Sequence, residues 1–263
     1  ITSVINVTMN ADSTLTSGAR LPGTHSTLDG AYKLTVSDIA NIVSSITVAS
    51  GTTVEGTAAH LTGKTLDGAG IVNVLSLDAT LGALLDNITA TNITVTMSAD
   101  STLTSGARLP GSASTLNGAY KLTVSDVANI VSSITVVSGT TVEGTAAHLT
   151  GKTLNGAGTV NVLALNATLD TLLNNITTTT INVTMSTNTI LNASARLPGA
   201  ASNLNGSFTL TVSDANNISH AITIPLNTTI QGLSQYLTGK TINGAGTTII
   251  TNQILSNQDF TNL

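Results

Sequence analysis

Residues 62–77 read TGKTLDGAGIVNVLSL, and the line returns as TGKTLNGAGTVNVLAL at 150–165 and as TGKTINGAGTTII at 238–250. Two signals lie inside it. Asp67-Gly68 is a turn signal, because both residue types tolerate the positive φ that tight turns demand. Val72-Asn73-Val74 then alternates apolar and polar, as a half-buried strand does. The copies stand 88 residues apart. Met9, Met97 and Met185 keep the same interval, as do the ARLPG strings starting at Ala19, Ala107 and Ala195. No insertion or deletion breaks the register, so the chain divides into 1–88, 89–176 and a more divergent 177–263.

Further [DN]-G turns fall at Asp29-Gly30, Asn117-Gly118, Asn155-Gly156, Asn205-Gly206 and Asn243-Gly244. Between turns the period switches. Lys33-Leu34-Thr35-Val36 alternates as a strand, after which Ser37-Asp38 offers a cap and Ile39, Ile42, Val43 and Ile46 follow at helical spacing. Leu77, Leu81, Leu84 and Leu85 also fall on one helical face. A shorter turn, Thr57 to Leu61, follows Val54, with Gly63 placed as its C-terminal stop. Each repeat thus holds about four strand-plus-short-helix segments of roughly 22 residues. This spacing predicts a mainly β fold, a repetitive β-solenoid with short helices whose strands stack in parallel about 4.8 Å apart. The rival is one β-sandwich module per repeat, near the ~100 residues of an immunoglobulin-like domain. Against the rival stand the helix-like segments and the lack of an aromatic core anchor.

Composition narrows the function classes. Charged residues make up 8% of the chain and aromatics 2%, with no Trp and no Cys. The 8 Lys/Arg and 13 Asp/Glu are scattered singly and give a net charge of −5. No basic stripe interleaves with aromatics, so nucleic acid is not an expected partner. Without Cys, neither disulfides nor thiolate metal sites can form. No apolar run reaches ~18 residues, so no membrane-spanning helix is expected. The chain opens on Ile1 with neither an initiator Met nor a signal peptide, and reads as a processed product or an excerpt of something longer.

Differences between copies separate architecture from chemistry. Over residues 9–87 the first copy differs from the second at 13 of 79 positions. Four of these exchange Asp for Asn: Asp29/Asn117, Asp67/Asn155, Asp78/Asn166 and Asp86/Asn174. A catalytic or metal-binding carboxylate would not survive that exchange, whereas a turn former or cap would. In the third copy Lys33/Lys121 becomes Thr209 and Glu55/Glu143 becomes Gln231. Three groups persist throughout: Arg20/Arg108/Arg196 before Leu-Pro-Gly, Lys64/Lys152/Lys240 in T-G-K-T, and Asp38/Asp126/Asp214 after Ser. The plain reading is a cap for Asp and a salt bridge or carbonyl contact for each cation. The sharper one is a repeated contact to an anionic partner, a polysaccharide or the next subunit.

Specific motifs fail. T-G-K-T lacks the first glycine of a phosphate loop, which would fall at Ala58, Ala146 and Ser234. His60 and His148 match Tyr236, which suits a packing residue rather than a ligand, and His25 and His220 have no counterparts. No Ser-His-Asp constellation recurs. No catalytic, cofactor-binding or metal-binding residue is therefore assigned, and an enzyme is not expected. No calcium-loop or nonapeptide pattern occurs, which leaves calcium only scattered Asp and carbonyls. Ten N-x-[ST] strings, including those at Asn6, Asn87 and Asn182, permit glycosylation without indicating it. Thr94-Val95-Thr96 becomes Asn6-Val7-Thr8 and Asn182-Val183-Thr184, too sparse a row for an ice-binding face.

The strings VSDIANIV, VEGTAAHL and LDGAGIVNVLSLDATLGALLDNIT resemble the tandem repeats of very large bacterial surface proteins, described as β-strand-repeat or adhesin-like. The resemblance covers essentially the whole chain. It implies an extracellular, cell-surface location and a role in adhesion, surface layers or filaments, and it carries no catalytic residues to transfer. The expected function is a structural segment, a filament, stalk or surface-layer subunit, that self-assembles head to tail. The alternative is an adhesin array that binds glycans or a host surface and gains avidity from weak repeated sites.

Overall fold

The computed structural model describes residues 4–77, 82–166, 170–252 and 257–263. The chain forms two compact units, Ile1–Thr140 and Thr141–Leu263, each a right-through stack of parallel strands. The fold is a β-solenoid of about 12 turns counted over both units, and the sandwich alternative is excluded. The boundary between the units lies inside the second sequence repeat.

In the first unit each early turn contributes two strands. The first strands are Ile5–Thr8, Ser26–Asp29, Ile46–Val48 and Leu66–Asp67, which pair in that order. The second are Ser13–Leu15, Lys33–Val36, Thr53–Thr57 and Ile71–Leu77, likewise paired in order. Alternation explains both sheets. In Lys33–Val36 the burial runs half-buried, buried, half-buried, buried. Inward Leu34, Val36, Val54, Val72 and Val74 are no more than 3% exposed. Branched side chains stacked turn on turn are what stabilise so aromatic-poor a core.

Ile5 pairs with Ser26, Ser26 with Ile46, Ile46 with Leu66 and Leu66 with Ile88, so four turns use 83 residues, five fewer than the repeat. The mismatch has a visible result. Asn92–Met97, the second-repeat counterpart of Ile5–Thr8, pairs with Ile71–Leu77 of the other sheet, Val72 opposite Ile93. The second unit repeats the exchange, with Thr159–Leu165 pairing with Thr180–Met185. Each of these joints carries a β-bulge, between Val74 and Leu77 and between Val162 and Leu165, with Ser76 and Ala164 at φ +51° and +50°. An amide ladder crosses the second joint: Asn182 Nδ2 donates to Asn161 Oδ1 and Asn203 Nδ2 to Asn182 Oδ1, both at 3.0 Å.

The turn signals are real. The glycines of Asp29-Gly30, Asp67-Gly68 and Asn117-Gly118 sit at φ +113°, +102° and +106°. A Cβ on Gly68 would lie 2.4 Å from the Val48 carbonyl oxygen of the preceding turn. Glycine here allows turns to stack at strand spacing.

The helical content is smaller than the sequence pattern suggests. Ala58–Leu61, Ala146–Leu149 and Ser234–Leu237 are single helical turns, with Gly63 at φ +68° after the first, as expected. Thr57 caps the first by accepting from His60 N at 3.2 Å, and Leu233 replaces that cap in the third copy. The helix expected from Ile39 to Ile46 is instead a corner followed by strand. Its counterpart in the second copy is only the 3₁₀ turn Val127–Asn129, and Ile46 begins the strand Ile46–Val48. Ile42 and Ile46 are buried, but from a corner and a strand rather than from one helix face. In the second expected helix Leu77 ends a strand and Leu84 forms a bridge with Arg108. Leu81 and Asp78 lie outside the described residues.

Candidate functional site

The persistent aspartates, and Arg108 and Arg196 among the arginines, make architectural contacts. Asp38 Oδ1 accepts from Ala40 N at 2.8 Å and Oδ2 from Ser17 Oγ at 2.8 Å. Those bonds, the Ala40 amide foremost, hold its carboxyl below the usual carboxylate range. Asp126 caps Val127–Asn129, and Asp214 accepts from Asn216 N at 2.8 Å. Arg108 Nη1 donates to Ser105 O and Ala107 O at 2.9 and 2.8 Å, and Arg196 Nη1 to Ala193 O and Ala195 O at 2.7 and 2.8 Å. The carbonyl-contact reading therefore holds for these arginines. Lys33 pairs with Glu55 at 3.2 Å across adjacent turns, and in the third copy Gln231 Nε2 donates to Thr211 Oγ1 at 2.9 Å on the corresponding rung.

The histidines divide. His60 is half-buried, and its Nδ1 lies 3.1 Å from the Val36 carbonyl, so that nitrogen carries the proton. His25 sits between Ser45 Oγ at 2.6 Å and Thr47 Oγ1 at 3.2 Å. Both ring nitrogens thus face hydroxyls, and no carboxylate orients the imidazole toward a nucleophile. Among the described residues no group of three or more His, Asp or Glu gathers as a metal site. No described helix is long and apolar enough to cross a membrane, which says nothing about β-barrels.

One side chain that sequence reasoning passes over anchors every S-D-x-x-N corner. Asn41, Asn129 and Asn217 are fully buried. Asn41 Oδ1 accepts from Ser37 N and Asp38 N at 3.0 and 2.9 Å, while Nδ2 donates to Thr16 O and Ala19 O of the preceding turn at 2.9 and 2.8 Å. All four hydrogen-bonding positions of the amide are used. Its repetition amid Ile39 and Ile42 was the available signal. Burial also removes Asn217 from the candidate glycan acceptors.

Two surfaces remain. The first is a trough of about 690 Å³ in the second unit, lined by Arg196, His220, Lys240, Asn174, Asn216 and Ser219 among others, with no carboxylate in its wall. Its counterpart in the first repeat, beside Val43, Ser44 and Lys64, measures about 190 Å³. The second consists of the free strand edges. Among the described residues Thr247–Ile250 has a strand on one side only, as has Ile5–Thr8. Next to Thr247–Ile250 lies an apolar hollow of about 360 Å³ lined by Ile224, Ile242, Ile250, Phe260 and Leu263. Val4 and Ile5 are 55% and 40% exposed, whereas Ile93, the counterpart of Ile5, is 4% exposed.

The Thr rank is denser than one per repeat, since Thr94, Thr115 and Thr135 stack on successive turns, but Asn73 and Glu55 interrupt it. No protein-family model, curated protein or solved structure matches the chain.

Proposed function

We propose that the chain is a structural repeat protein of the cell exterior, a filament, stalk or surface-layer segment, whose copies add head to tail. The observation that carries this reading is the joint between repeats. Ile71–Leu77 holds Asn92–Met97, and Thr159–Leu165 holds Thr180–Met185, each by a parallel ladder with one bulge. Thr247–Ile250 is the next strand in that series, and Ile5–Thr8 is the strand type that both earlier members hold. The internal register, Ile71 opposite Asn92 and Val74 opposite Val95, transfers directly. It sets Thr247 opposite Val4, Thr248 opposite Ile5, Ile249 opposite Asn6 and Ile250 opposite Val7 of a second copy. Pairing in that register would continue the ladder of Thr247–Ile250 and cover Ile5 and the apolar hollow.

The low charge, the absence of cysteine and the resemblance to surface-protein repeats support an exterior location. The adhesin alternative draws on a separate observation, the trough holding Arg196 and Lys240. Electron microscopy of the 263-residue chain across a concentration series tests the structural reading. Rods that lengthen with concentration are the expected result. Particles of constant length at every concentration would refute head-to-tail addition.

A further inference from the structure

We infer that the trough of the third repeat binds a linear acidic oligosaccharide, its carboxylate or sulfate groups set along Arg196, His220 and Lys240. This stands apart from self-assembly and rests on the trough alone. The three side chains are 24 and 20 residues apart, which in this fold means three successive turns. Main-chain bonds fix that order: Leu197 N donates to Asn217 O, and Ile222 N to Thr241 O. One donor per turn, at a rise of about 4.8 Å, is a ladder for a polymer carrying roughly one anionic group per sugar residue.

The site is preorganised. The Arg196 backbone is clamped by Arg196 N donating to Thr171 O at 2.7 Å and Leu173 N donating to Arg196 O at 2.9 Å. Nη1 spends both its hydrogens on Ala193 O and Ala195 O, so the Nε and Nη2 donors hang from a fixed guanidinium. The acids on the neighbouring segments are engaged locally. Asp170 Oδ1 accepts from Asn192 Nδ2 and Ser194 Oγ, Asp214 from Asn216 N at 2.8 Å, and Asp259 from Thr261 N and Thr261 Oγ1 at 2.9 and 2.8 Å. None of the three lines the trough.

Comparison between copies points the same way. Ala40 and Ala128 become Asn216, Val43 and Val131 become Ser219, Ser44 and Ser132 become His220, and Asp86 becomes Asn174. Val43 and Val131 are 52% and 48% exposed, so no packing need governs them. The exchanges therefore put hydrogen-bonding groups in place of exposed valines and half-buried alanines, add an imidazole, and remove a negative charge. All four fall on one trough. Amides and a hydroxyl beside the cations suit sugar hydroxyls, and without an aromatic platform the anionic groups must supply most of the affinity.

Isothermal titration of the full chain with a linear tetrauronate, a sulfated tetrasaccharide, a neutral glucan and inorganic sulfate tests this. One or both acidic sugars should bind, the neutral glucan should not, and affinity should fall as salt rises. Lys240→Gln and His220→Ser should each weaken binding about fivefold. His220→Ser restores the residue of the other copies and Lys64→Gln serves as the control, with circular dichroism confirming each fold. Inorganic sulfate binding as tightly as the oligosaccharides would overturn the proposal, as would an affinity unmoved by Lys240→Gln and His220→Ser. Sedimentation of the same samples reports assembly separately, so either reading can fail alone.

Discussion

Ile5→Lys separates folding from assembly. In the free chain Ile5 is 40% exposed, so a lysine there can keep its ammonium in water. In the joint it should match Ile93, which is 4% exposed. Covering the difference removes roughly 65 Å² of apolar surface, worth about 1.6 kcal/mol at ~25 cal/mol per Å². Lysine forfeits that contribution and adds an unpaired buried ammonium, a cost of several kcal/mol. A combined loss of about 4–5 kcal/mol weakens the end-to-end contact by about three orders of magnitude. Sedimentation velocity across a concentration series reads the contact, and a thermal melt reads the fold. The expected result is a normal melt with rods that no longer lengthen. Ile5→Lys rods that grow like the parent's would refute the edge-to-edge register, and Thr27→Lys, within the sheet but off its edge, controls for charge.

Three other perturbations probe the fold. Asn129→Leu keeps the branched outline, with extra bulk, but strands Thr104 O, Ala107 O and the Ser125 and Asp126 amides, so denaturant titration should show a loss of at least roughly 3 kcal/mol. Gly68→Ala should cost well over the ~1 kcal/mol of a left-handed residue, because its Cβ meets Val48 O, while Gly63→Ala, at φ +68° with open space around it, should cost about that amount. Equal melting temperatures for the two would refute the stacking argument. Acid should loosen the corners. Asp38 and Asp259 have pKa values lowered chiefly by the Ala40 and Thr261 amides. Their contribution is present above the unfolded carboxylate value of about 4 and is lost as pH falls through the lowered folded values. Melts should therefore be steady from pH 7 to about 4 and fall below it; a flat profile to pH 2 would contradict this.

The strands and turns are legible because each uses a local signal. Lys33–Val36 alternates, and each [DN]-G glycine takes positive φ. The corners mislead because a corner followed by a three-residue strand places Ile39, Ile42, Val43 and Ile46 at intervals of three and four, the spacing of a helix face. Only Ile42 and Ile46 are buried, by neighbouring turns that a local window does not contain, whereas Ile39 and Val43 are 48% and 52% exposed. Asn41 escapes for a related reason: its partners Thr16 and Ala19 lie one turn back. The trough is hidden further still. Arg196 and Lys240 read as two interchangeable copies of structural cations, and His220 as an unmatched residue without a site. Only stacking at 20 to 24 residues brings the three together.

The five residues by which each repeat overruns four turns act like the pitch of a screw thread. A feature written once per repeat does not line up along one side of the stack, because the next copy emerges on the adjoining sheet. Near-identical sequence thus yields differently facing surfaces, and a substitution in one copy alone, such as His220, equips a single side.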